Sequence, residues 1–188
     1  PPPATATARV ASGPSPTVAA TTTMPPLPTA TVVPTAVARA TVTAAPAEPL
    51  AAIMARAATA FLDGLDPALR GKATYAFADA ERRRWHWTTP GGFPRNGVPL
   101  KDLPPAARDR ALSLLQASVG DAGFRKATDI MALQRDLGSD EDLYYVTVFG
   151  TPGPAAPWGW RFEGHHLSRH FTVSGDRVSM VPFFLGAW

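Results

Sequence analysis

The stretch RFEGHHLSRH, residues 161–170, gathers three of the chain's four histidines, His165, His166 and His170, within six positions. Imidazole changes charge near neutral pH and is also the commonest metal ligand, so the stretch reads as a metal site, an acid/base site or a polar strand. His166 and His170 have the i, i+4 spacing that brings two ligands together on a helix. Here Phe171, Thr172 and Val173 follow directly and argue for a strand. On a strand the two side chains stand about 13 Å apart, at about 3.3 Å per residue. They do not easily meet one ion through bonds of about 2.1 Å.

His165 and His166 point to opposite faces of a regular strand, and chelate together only if a bulge, marked by Gly164, intervenes. Glu163 falls on the same face as His165, so Glu-x-His is the better two-ligand element. The candidate metal set is therefore Glu163, His165 and His166, holding a divalent transition metal. The candidate acid/base set is the same three residues with His86. Arg95 and Arg84 are candidates to hold an anionic substrate group by bidentate pairing. Trp158 with Trp160, and Trp85 with Trp87, are i, i+2 pairs. Exposed, they would stack on a sugar or another flat ligand; buried, they belong to the core.

Other chemistries are thinly supported. There is no Gly-x-Ser-x-Gly elbow and no phosphate-cradling glycine loop. Ser168 shares a strand face with His166 and His170, a weak basis for a nucleophile. With no cysteine in the chain, disulfides and thiolate chemistry are excluded. The formal charge is only +3 and no basic stripe is interleaved with aromatics, which speaks against nucleic acid. No segment approaches the about 20 apolar residues of a membrane span. The expected partner is a small molecule or a surface ligand.

These residues sit in a chain of two compositions. Residues 1–49 hold 11 of the 21 prolines, 11 threonines and only three charged residues. Such a stretch has nothing to bury and predicts a disordered, polyproline-like stalk. Stalks of this kind precede domains of exported, surface-tethered bacterial proteins, so the expected location is extracytoplasmic, with any tether upstream. Residues 50–188 are long enough for one core. The apolar ending FFLGAW suggests that the natural domain continues.

Within that domain, LAAIMARAATAFLD (50–63) has helical spacing, Gly64 ends it, and Asp66-Pro67 starts a second helix through residue 77. Alternation in RRWHWTTP predicts a short strand before a turn-rich loop. Asp102 is the expected cap of a third helix ending at Gly120, and a fourth runs to Gly138. From residue 143 the period changes to 2: LYYVTVFG, then 158–173 as one long extended segment, then a turn at SGD and a returning strand. Helices first and strands second imply an α+β fold, about four helices packed on an antiparallel meander.

The order ER…WHW…RNGVPLKDL, then KATDIMALQ, then YYVTVFGTP…PWGWRFEGHHLS resembles the family catalogued as domain of unknown function 3500, over roughly residues 50–188. The resemblance implies attention to Arg82, Trp85, His86, Arg95, Gly97, Trp158, Trp160, Glu163, Gly164, His165 and His166. The chain departs from the family pattern at Gln134, where a glutamate is expected, and at His170, where an asparagine is expected. It also stops short of where family members end. Together these readings favour a metal-dependent or histidine-assisted hydrolase. The alternative is a non-catalytic module that binds a sugar or small anion through Trp and Arg side chains.

Overall fold

The computed structural model describes residues 47–186. Apart from its last three residues, the expected stalk lies outside them.

Helix α1 (Leu50–Asp63) follows the 3.6-residue period, burying Met54, Ala58, Phe61 and Leu62. Asp66 caps α2 (Pro67–Ala73), its carboxylate accepting the Leu69 N–H at 2.8 Å, with Pro67 in the first turn. Helix α2 is shorter than its apolar pattern suggests. Thr74–Tyr75 leave it to form β1, which pairs in parallel with β3 (Tyr145–Phe149). Helix α3 (Pro105–Asp136) carries Gly120 at φ 68 and ψ 174, outside the helical region. The two helices expected around Gly120 are the arms of this one broken element, so the described residues form three α-helices rather than about four. Asp102 is not the cap of α3: it ends a 3-10 turn (Leu100–Asp102), and Pro104 takes the N-cap position.

The mixed α+β class holds, and the described residues form a sheet of seven strands. Its middle is an antiparallel run of β3, β4 (Trp158–Gly164) and β5 (Leu167–Ser174). Strand β6 (Arg177–Ser179) returns after the turn at Gly175, where φ is 57. Strand β2 (Val98–Pro99), which pairs with β3, lies outside the sequence expectation; the returning strand expected over RVSMVPFF (177–184) is split into β6 and β7 (Phe183–Leu185), which pairs with β5. The segment expected to run extended through 158–173 is two strands, folded back at His165-His166.

Register divides the side chains between two faces. Val146, Val148, Trp158, Trp160, Phe162, Leu167, Phe171 and Val173 share a core with Met54, Phe61, Leu114 and Leu115 of α1 and α3. The opposite face carries Thr147, Arg161, Glu163, Ser168 and His170, and all five are buried too. A charged sheet face can be dry only if something polar covers it. Residues 80–97 provide that cover, and here the sequence reading needs correction. Residues 84–89 are not a strand. They form an irregular strap whose main-chain groups bond to side chains of the sheet instead of to a neighbouring strand.

Candidate functional site

Arg161, fully buried, is the centre of the strap's attachment. Its Nη1 donates to the carbonyls of Glu81 (3.0 Å) and Arg84 (2.6 Å), and its Nη2 donates to Glu81 Oε1 at 2.6 Å. Its Nε lies 2.8 Å from Glu163 Oε1. That contact is electrostatic rather than a well-aimed hydrogen bond, since neither atom has a directed partner. Glu163 Oε2 accepts the His86 N–H at 3.1 Å. Glu81 Oε2 accepts from Asn96 Nδ2 at 2.8 Å and from Arg84 Nη1 at 3.2 Å. Arg95 Nη2 donates to the carbonyls of Thr88 (2.6 Å), His86 (3.3 Å) and Gly164 (3.4 Å). Two buried carboxylates and two guanidiniums thus hold the strap to the sheet. Burial raises the Glu163 carboxyl above its usual range, opposed by Arg161, the His86 N–H and Arg95.

Beside this clamp is the turn between β4 and β5. Gly164 pairs with Leu167, so His165 and His166 are the two residues of a tight hairpin loop. His166 has φ 59, the left-handed region. That conformation costs a non-glycine residue about 1–2 kcal/mol. Bonds from outside the hairpin hold it: His166 N–H donates to Trp87 O (2.8 Å), and Gly186 N–H donates to His166 O (3.0 Å). Tyr144 Oη donates to His165 O at 2.7 Å, and burial pushes its phenol up, so it stays protonated. Gly164 is required because a Cβ there would lie 2.4 Å from the Tyr144 ring.

The turn brings the two imidazoles side by side, ring centroids 4.2 Å apart. His165 Nδ1 lies 2.8 Å from Gln134 Oε1 on α3. The amide nitrogen of Gln134 donates to Ile130 O at 3.4 Å, which leaves its oxygen for the ring. An amide oxygen only accepts, so His165 carries its proton on Nδ1 and keeps the Nε2 lone pair. Burial, then His166 and Arg95, hold the His165 ring below the ordinary histidine range. His166, half-buried, lines a cavity of about 210 Å³ with Gln134, Ile130, Leu133, Asp136, Leu137 and Gly186.

A family model described as a protein of unknown function (DUF3500) matches residues 47–188. The chain belongs to the DUF3500 family. No curated protein and no solved structure shows significant similarity to it.

Within this DUF3500 domain the expected metal set does not assemble. Among the described residues no three His, Cys, Asp or Glu side chains stand together in a geometry that could hold an ion. The physical reason is the turn. Glu163 and His165 were expected on one strand face, but Glu163 contacts Arg161 and His86 on the strap side while His165 reaches Gln134 on α3. His165 and His166, expected on opposite faces, are neighbours at the tip.

His86 meets Glu163 through its main chain. Its ring stacks between Trp87 and Phe93, with Nδ1 2.8 Å from Thr88 Oγ1. Trp158 and Trp160 are 0% and 1% exposed, so they form no exposed stacking platform. Arg84 pairs with Glu81 and lies over Phe93, and Arg95 donates through Nη2 to carbonyls while its Nε and Nη1 are buried without a hydrogen-bond partner; neither residue lines the cavity beside His166.

Sequence reasoning missed Glu81 and Tyr144 and passed over Gln134 as a contact of His165. For Gln134 a signal existed, since the family resemblance marks that position as one that carries a carboxylate.

Proposed function

We propose that this DUF3500 domain is a histidine-assisted hydrolase, with His166 as the acid/base group at the hairpin tip and His165 as its neutral neighbour. The observation that carries the reading is the left-handed backbone of His166. Strain at a non-glycine residue persists only where the surroundings over-determine it, and such residues cluster at functional sites. Here three bonds from Trp87, Gly186 and Tyr144 fix the turn. The cavity that His166 lines is mostly apolar, which suits a small substrate with an apolar body.

In the reaction, His166 takes a proton from water as the water oxygen bonds to an acyl carbon. The leaving oxygen then receives that proton as its bond to carbon breaks. Gln134 is a positioning residue: it fixes the His165 ring so that its lone pair faces away from α3. We place the domain outside the cytoplasm, a reading supported by the Pro/Thr/Ala-rich composition of residues 1–49. Among the described residues no helix is long and apolar enough to cross a membrane.

The test is turnover of short acyl esters such as p-nitrophenyl acetate and butyrate. The expected result is hydrolysis above buffer that falls at least about 100-fold in His166→Asn, the usual size of an acid/base contribution. Equal rates for wild type and His166→Asn, or none above buffer for any ester, would overturn the reading.

A further inference from the structure

His170 lies on the strap side of the sheet, paired in register with Arg161, and is only 5% exposed. Its Nε2 is buried and has no hydrogen-bond partner. A buried polar atom without a partner costs about 1–3 kcal/mol, so it calls for an explanation. The atom's side chain borders a cavity of about 180 Å³, walled by Trp85, Phe149 and Pro182, with Arg82 and Arg83 also lining it. The Trp85 ring meets the imidazole edge-on at 5.7 Å.

The charges around the cavity are unequal. The buried carboxylates Glu81 and Glu163 are engaged by Arg84 and Arg161. Among the described residues Arg82 and Arg83 form no ion pair. Arg82 instead lies over the Phe77 ring, 4.4 Å from its centroid. The cavity therefore has two guanidiniums without counter-ions, aromatic and apolar walls, and one imidazole nitrogen with an open valence for hydrogen bonding. Burial first, then Arg161 and Arg82, push the His170 ring down to about 3, so it is neutral and one nitrogen is free to donate without adding charge.

We propose that this cavity is a binding site for a small aromatic carboxylate. The carboxylate meets Arg82 and Arg83 and accepts from His170 Nε2–H, and the ring lies against Trp85 and Phe149. Size agrees with this class: a cavity of about 150 Å³ accommodates one benzene ring, and this one is slightly larger. Guanidinium forks match carboxylate geometry, which favours the acid over its neutral amide. The site is separate from the hairpin tip, so its failure would leave the hydrolase reading standing, and the reverse.

The experiment is titration of the full chain with benzoate, followed by calorimetry and by tryptophan fluorescence. Benzamide serves as the neutral isostere, and His166→Asn as a control outside the site. We expect saturable binding with Kd below about 1 mM, at least tenfold tighter than benzamide. Arg82→Gln/Arg83→Gln should weaken it at least tenfold, and His166→Asn should leave it unchanged. Should the double variant fail to fold, Arg83→Gln alone, at an exposed position, reads the same contact. Absence of saturation at 10 mM (about tenfold above the expected limit), equal affinity for benzamide, or indifference to the arginine changes would each overturn the proposal.

Discussion

Replacing Gln134 by glutamate would test the assignment of the histidine pair at a single atom. In the wild type, the Gln134 oxygen sits 2.8 Å from His165 Nδ1, and the amide nitrogen holds Ile130 O. The ring is neutral near pH 7 because burial holds it below the ordinary histidine range, with His166 and Arg95 adding to the effect. The introduced carboxylate would put a formal negative charge at the same place, 3% exposed and poorly screened. An opposite charge at this separation raises a histidine midpoint by about 1 to 3 pH units relative to its value without that charge.

The His165 midpoint in Gln134→Glu should therefore lie above the wild-type midpoint and carry the ring toward imidazolium at neutral pH. Proton NMR of the imidazole Cε1–H signals, assigned with His165→Asn, reads both midpoints directly. The pair would titrate as a coupled unit, so the apparent midpoint belongs to the new carboxylate and His165 together. A folded variant with an unmoved His165 midpoint would refute the placement of the residue 134 side chain against the His165 ring.

Glu163→Gln removes one carboxylate from the buried clamp while leaving an acceptor for the His86 N–H. Loss of a buried ion partner costs about 3–5 kcal/mol, and Arg161 keeps Glu81, so we expect the low end, read as a lowered urea midpoint. Gly164→Ala would place its Cβ 2.4 Å from Tyr144. Overpacking of this kind destabilises by about 1–3 kcal/mol, visible in thermal unfolding, and Tyr144→Leu in the same chain should recover part of it. His170, held at about 3 against an ordinary value of 6.5, binds a proton in the unfolded chain before it does in the fold. It contributes no loss above pH 6.5 and destabilises progressively as pH falls toward 3, by up to about 1.4 kcal/mol per pH unit. Urea midpoints measured from pH 7 to pH 4 should fall less steeply for His170→Asn than for wild type.

How much of this was legible in the sequence depended on the range of the interactions. Helix α1, the Asp66 cap and the turn at Gly175 follow from neighbours a few residues apart, and they appear where the residues predict. Strands β1 and β2 contain two residues each, too few to show a period, and exist because distant partners pair with them. The strap 84–89 shows the opposite failure. Its Trp-His-Trp alternation is a genuine strand pattern, yet its donors and acceptors are met by Glu163, Arg161 and Arg95. No local rule could have identified those partners, up to 77 residues away.

The site was misplaced for a related reason, one of parity. A two-residue turn at His165-His166 carries no Asn-Gly signal, and nothing in the residue types announces a left-handed backbone there. Without the turn, Glu163 and His165 share a face and suggest a ligand pair; with it, they serve opposite sides of the sheet. The same stretch misleads about burial. In WRFE the aromatic and charged residues alternate, which reads as one face in the core and one in water. Both faces are buried, because the strap brings Glu81 to Arg161 and a main-chain N–H to Glu163. His170, from sequence a mere departure from the family pattern, shares that covered face with Arg161. Ser168 on the same face also has an unpartnered buried oxygen but borders neither the His166 nor the His170 cavity, so it is the combination of an unpartnered nitrogen with an adjoining cavity that singles out His170 rather than the spacing of the histidines.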